Sequence, residues 1–111
     1  MRIRRDKSLM QDEEINIVAE VSDALAHPVR IKIYQFILEC NKNLQTVCNK
    51  DVVAAFDYSQ ATISQHIKKL AQARLVEVKK EDKCSFYYAN IGRLSQYLNA
   101  TKKFSTFQAR D

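Results

Sequence analysis

Gln60 and Gln65 lie in the run SQATISQHIKKL, residues Ser59 to Leu70. A glutamine carries a donor and an acceptor side by side, which lets it pair bidentately with the edge of adenine in a DNA major groove. Ala61 is small enough for close approach and can touch a thymine methyl. Ser59, Thr62 and Ser64 suit phosphate oxygens, as do the free N–H groups of a helix start. Lys68 and Lys69 follow, where a cation adds affinity through phosphates rather than choice of sequence. His66 flanks the apolar side, with packing and a phosphate contact equally open to it. Lys79, Lys80 and Lys83 carry further positive charge in the stretch after the run. This is the chemistry of recognising a polyanion and its bases.

These side chains share a surface only if the run is a helix. At about 100° per residue, Ile63, Ile67 and Leu70 fall within a narrow arc and anchor it. Ala61, Gln65, Lys68 and Gln72 lie opposite, with Thr62 and Lys69 on one flank and Ser64 on the other. Ser59 is a good N-cap, because its oxygen accepts from a free N–H of the first turn. Gln60 then sits at the N-terminal end, the end that normally points at base edges. Before it, Lys50 to Phe56 reads as a short helix with Val52, Val53 and Phe56 inward. Asp57-Tyr58 is the corner, and Asp tolerates the left-handed conformation that a corner often needs. The bland alternative is a solvated surface helix. The turn, the cap and the placement of Ala and Gln argue against it.

The remaining elements follow from periodicity and breakers. Asp12 to Ala26 predicts a first helix, with Ile15, Val18, Ala19, Ser22 and Leu25 on one face. Ile17 and Val21 lie on the opposite flank, so this helix has one apolar side for the core and one for a partner subunit. Pro28 fits a first helical turn, where its missing N–H costs nothing. Pro28 to Glu39 predicts a second helix, apolar nearly all round and the most buried. Asn41 to Asn49 reads as a loop or frayed end. After the fourth helix, ending near Ala73, the period changes. Leu75 to Lys80 alternates and Cys84 to Ala89 is aromatic, a hairpin with Glu81-Asp82-Lys83 at its tip. Asn90 caps a last helix from Ile91 to about Phe104. The expected fold is mainly α with one β-hairpin: four helices, two strands, one helix, a winged helix-turn-helix. Residues 1–11 are expected to be a flexible basic N-terminus, 12–107 the single domain and 108–111 a tail.

The totals agree with this. The chain has 111 residues, room for one modest core. One Gly and one Pro argue for helix over hairpin-rich β structure. Eighteen Lys and Arg against thirteen Asp and Glu give a net charge of +5, a surplus that suits DNA. No stretch approaches the roughly 20 apolar residues that span a bilayer. No membrane partner is expected, and three cysteines without disulfide-framework spacing fit the reducing cytoplasm. There is no Gly-rich phosphate loop, no nucleophile motif and no placed His–carboxylate pair, so no catalytic residue and no enzyme activity is expected.

From Leu25 to Leu98 the chain resembles the ArsR/SmtB family of bacterial transcriptional repressors. ALAHPVRIKI is similar to the family's opening of helix two. SQATISQHIKKLAQARLV is similar to its recognition helix and first wing strand, and YYAN to the exit from the wing. The resemblance implies a homodimer paired through the first and last helices, binding a pseudo-palindromic double-stranded operator and releasing it to an inducer. Ile15, Val18, Val21, Leu94, Tyr97, Leu98 and Thr101 are the residues expected to pair. The sequence departs from the family pattern in three places. Arg74 stands where the family usually has Gly before the wing, so that helix end is expected to close differently. Asp57 replaces a frequent Gly. The metal ligands are largely missing: Cys48-Asn49-Lys50 replaces a Cys-x-Cys, and the last helix has neither His nor carboxylate before Asp111. No metal or other cofactor is expected. Unpaired thiols without a sensing role are the favoured reading of the cysteines, with a thiol sensor through Cys40 and Cys48 as the alternative. A winged-helix protein–protein interaction module is the rival reading of the whole.

Overall fold

The structure is a computed structural model that describes residues 9–108. The expected flexible basic N-terminus and tail therefore lie mostly outside the described residues. The elements run α1 (Asp12–Leu25), α2 (Pro28–Lys42), β1 (Val47–Cys48), α3 (Asn49–Phe56), α4 (Gln60–Gln72), β2 (Val76–Glu81), β3 (Cys84–Ala89) and α5 (Ile91–Lys102). A 3-10 turn, Lys103–Phe107, follows α5. The strands form an antiparallel sheet in the order β1-β3-β2. This is a mainly α winged helix-turn-helix.

Three of the helices start where the chain supplies a side-chain acceptor for a free N–H group. His27 Nδ1 accepts from Val29 N–H at the start of α2, with Pro28 at the first position. Ser59 Oγ accepts from Thr62 N–H before α4. Asn90 Oδ1 accepts from Arg93 N–H before α5. The apolar stripes then meet in one core built on Val21, Ile33, Ile37, Val52, Ile63, Leu70, Leu75 and Tyr87. Ile63 and Leu70 are fully buried and Ile67 nearly so, which fixes the rotation of α4 about its axis.

Several expectations need correction. The segment 41–49 is not simply a loop. Helix α2 runs on to Lys42, and Val47-Cys48 pairs with Tyr87 and Phe86 as a third strand. Two residues are too few for a period-2 pattern to show in sequence. Helix α2 is apolar nearly all round but is not buried all round, since Ile31 is half-exposed. Helix α5 ends at Lys102, and the hairpin tip is only Asp82-Lys83, because Glu81 still pairs with Cys84. Arg74 does not close its helix differently. It takes the left-handed conformation itself (φ 62°). Leu75 N–H donates to Leu70 C=O at 3.0 Å and Arg74 N–H to Ala71 C=O at 2.9 Å, the paired closure normally built on glycine. The buried Leu70 and Leu75 fix this turn from inside, which outweighs roughly 1–2 kcal/mol of left-handed strain. Asp57 is left-handed too (φ 56°), as expected for the corner before α4.

Candidate nucleic-acid interface

The packing that buries Ile63, Ile67 and Leu70 leaves Gln60, Ala61, Thr62, Ser64, Gln65, Lys68 and Lys69 exposed on the far side of α4. Local bonds order the start of this face. Ser59 Oγ also donates to Thr62 Oγ1 at 2.9 Å, so the two hydroxyls expected to meet phosphate are tied to each other. Ser64 Oγ accepts from the Asn49 amide at 3.4 Å. That amide also donates to Tyr87 Oη at 2.9 Å. Asn49, nearly buried, thus joins the start of α3, the middle of α4 and the wing strand β3. Nothing in the sequence marked Asn49, since a single polar residue before a helix reads as a loop residue.

Beside the outer face runs a groove of about 380 Å³ lined by Arg30, Thr62, Gln65, His66, Lys68, Lys69 and Gln72. It has three cationic side chains and no carboxylate among its lining. Arg30 was not among the sequence candidates. Its Nε donates to Ala24 C=O at 2.7 Å and its guanidinium reaches Asp23 C=O at 3.5 Å, so it closes the end of α1 while facing the groove. The signal was available in HPVR, where Arg30 lies on the first turn of α2. His66 packs against His27, ring centroids 4.9 Å apart and tilted by 57°. Burial holds the His66 imidazole below its ordinary pKa, with His27 and Arg30 adding to the effect.

The wing carries Lys79, Lys80 and Lys83 on exposed positions. Lys79 Nζ lies 5.5 Å from the centre of the Tyr88 ring, which holds this cation against the sheet. Lys83 stands at the tip and lines a small cavity that reaches back to Gln60 and Ser64. The wing tip and the start of α4 are therefore neighbours, and the DNA-binding candidates lie on α4, its cap or the wing.

The family model described as bacterial regulatory protein, arsR family, matches residues 27–78. That span runs from the cap of α2 through the helix-turn-helix into the first wing strand. Over those residues the chain is similar to the arsR-family helix-turn-helix. The function that goes with this match is DNA-binding regulation of transcription rather than catalysis. An ArsR-like transcriptional regulator from Rhodococcus sp. RHA1 superposes with a TM-score of 0.70 at 18% identity, over 85% of this chain and 84% of that one. NolR from Sinorhizobium fredii gives 0.63 at 21% identity, over 94% and 96%. The transcriptional repressor BigR from Xylella fastidiosa gives 0.61 at 22% identity, over 91% and 100%. At these identities the likeness is one of fold. No curated protein sequence matches the chain.

At the other end of the domain, α1 and the 3-10 turn enclose an apolar groove of about 580 Å³. Its walls include Leu9, Ile15, Val18, Phe104 and Phe107. Ile15, Phe104 and Phe107 are more than half exposed. The residues expected to pair two subunits divide here. Ile15 and Leu98 are exposed, Val18 lines the groove, and Thr101 is half-buried. Leu94 and Tyr97 pack on the protomer's own core, and Tyr97 Oη bonds Ser22 Oγ at 3.3 Å. Val21 is fully buried in that core and is not a surface residue. Helical spacing gave its direction, but not that the core covers that side. Among the described residues no group of three or more His, Cys, Asp or Glu side chains is placed to hold a metal ion. No described helix is long and apolar enough to cross a membrane.

Proposed function

We propose that the protein is a cytoplasmic, homodimeric, sequence-specific repressor that places one α4 helix in each of two successive major grooves of a pseudo-palindromic operator. The observation that carries this reading is the exposed face of α4, with Gln60, Ala61 and Gln65 on it and a cation-lined groove along one side. Gln60 and Gln65 read base edges. Ser59, Thr62 and Ser64, at the start of the helix, guide it onto phosphates. Lys68 and Lys69, with Arg30 behind them and Lys79, Lys80 and Lys83 on the wing, neutralise the backbone. His66 meets a phosphate at the groove edge. Pairing uses the outer sides of α1 and α5, chiefly Ile15, Val18 and Leu98 with the two phenylalanines of the 3-10 turn. The two-fold axis of such a dimer imposes the palindromy of the operator.

The test is titration of the protein on DNA from its own upstream region and on random duplex, across a salt series. The expected result is tighter binding to one upstream site. The logarithm of affinity should fall linearly with the logarithm of salt, because neutralised phosphates release counterions. Equal binding to both DNAs would end the sequence-specific reading.

A further inference from the structure

The wing brings together two cysteines that sequence spacing kept apart. In the antiparallel ladder of β1 and β3, Cys48 stands opposite Phe86. Cys84 is two residues before Phe86 on β3, and strand side chains alternate, so Cys84 lies on the same face as Cys48. The two are diagonal neighbours, about 7–8 Å apart at the backbone and closer at the side chains. Both are half-buried free thiols, and both line one cavity of about 110 Å³. Each sits at the end of its strand, Cys48 where β1 turns into α3 and Cys84 just after the wing tip. A shift of about 1 Å at either strand end brings the pair within the roughly 4.4–6.8 Å that a disulfide spans. Cys40 is elsewhere, on α2 and packed against the hydrophobic core.

The same cavity is lined by Lys50 and Lys83 and by no carboxylate. Asp51 is close in sequence, but its carboxylate is turned to accept from Cys48 N–H at 2.9 Å. Gln60 and Ser64 of α4 form the opposite wall. We propose that Cys48 and Cys84 form a dithiol site that exchanges with an anionic low-molecular-weight disulfide of the glutathione-disulfide kind, ending in a Cys48–Cys84 bridge. One protein thiolate attacks a sulfur of the small disulfide. Its S–S bond breaks, and the departing thiolate leaves with the electron pair and takes up a proton. The second protein thiolate then attacks the protein sulfur of the mixed disulfide and releases the other small thiol. Two protein thiols lose two electrons and two protons, and one disulfide becomes two thiols. The lysines select the anionic reagent by charge. The proposal is independent of DNA binding, although the adduct forms next to Gln60.

The reduced full-length protein is exposed to glutathione disulfide or, in parallel, to the cationic disulfide cystamine, and the products are mapped by mass spectrometry of peptides. The expected product is one bridge joining the Cys48 and Cys84 peptides, in wild type and in Cys40→Ser alike. Cys84→Ser should stop at the mixed disulfide on Cys48. Glutathione disulfide should react several-fold faster than cystamine, and Lys50→Ala with Lys83→Ala should remove that preference. A bridge that includes Cys40, or reaction at Cys40 with Cys48 and Cys84 left free, overturns the site. Equal rates for the two reagents in wild type overturn the selectivity for anions.

Discussion

The outer face of α4 and the surface formed by α1 with the 3-10 turn are both open to solvent, yet they are made of different residues. The first is Gln, Thr, Ser and Lys around one Ala. The second is chiefly Ile, Val, Leu, Met and Phe, with Lys103 at its edge. Helices α4 and α1 both bury apolar residues in the same core, so the contrast between them lies in what each leaves outside. A polar outer face needs no cover and is available to a polyanion. An apolar surface of this size on a small domain marks an interaction site. One end of the molecule is thus chemically suited to DNA and the other to a protein surface.

Disrupting the apolar end should have the largest effect. Phe104→Ser with Phe107→Ser should convert the protein to a monomer by light scattering. Operator affinity should then fall by about 10²–10⁴, since the two helices no longer bind as one unit. Unchanged mass would show that this surface is not where subunits meet, and would leave the α4 face unaffected.

Next comes the tie between the two ends. Arg93 on α5 is almost wholly buried. Its Nε donates to Ala73 C=O at 3.0 Å, at the end of α4, and its guanidinium pairs with Glu20 of α1 at 2.7 Å. Arg93→Ala should cost about 3 kcal/mol in denaturant unfolding, through the orphaned carbonyl and the space left behind. A loss near that of an ordinary surface substitution would mean that the helices hold their arrangement without it.

Within the polar end, two variants separate reading from holding. Gln65→Ala should cost about 1–3 kcal/mol on the preferred operator and relax base choice. Lys68→Ala should weaken all duplexes alike and lower the salt slope by about one. If both behave the same, Gln65 is only another backbone contact.

The smallest expected effect lies in the shared core. Tyr34 Oη is buried without a hydrogen-bond partner. Burial pushes this phenol up to about 12 from an ordinary 10.0. The folded chain therefore keeps a proton that the unfolded chain releases between those values, and stability should fall as pH rises from about 10 to 12. Tyr34→Phe should flatten that fall and add about 1 kcal/mol at neutral pH by removing the orphaned hydroxyl. Tyr87, also raised by burial, contributes in the same sense. Thermal melts of both proteins across pH measure the difference, and identical profiles would remove Tyr34 as the cause.

Much of the α4 site was legible in sequence because its determinants are local. Ser59 as cap, Ile63, Ile67 and Leu70 as stripe, and Gln60, Gln65 and Lys68 as outer face all follow from helical spacing within a few turns. The left-handed corner at Asp57 follows from residue type. The short strand at Val47-Cys48 did not, because its only reason to be extended is the edge of β3 offered by a segment far along the chain. Arg74 misled, because local propensity disfavours the conformation that the buried Leu70 and Leu75 impose.

By itself, the sequence determined that this is a helical DNA-binding domain with a wing, and which side of α4 faces outward. Those outcomes rest on periodicity and caps, which act over neighbouring residues. Only the tertiary structure decided that Val21 belongs to the core rather than the surface, that Asn49 joins α3, α4 and the wing, that Arg93 pins three helices, and that Cys48 has Cys84 for its neighbour rather than Cys40. Each of these depends on which distant segments share a surface. That is settled by packing one core from all the stripes at once, and no local spacing records it.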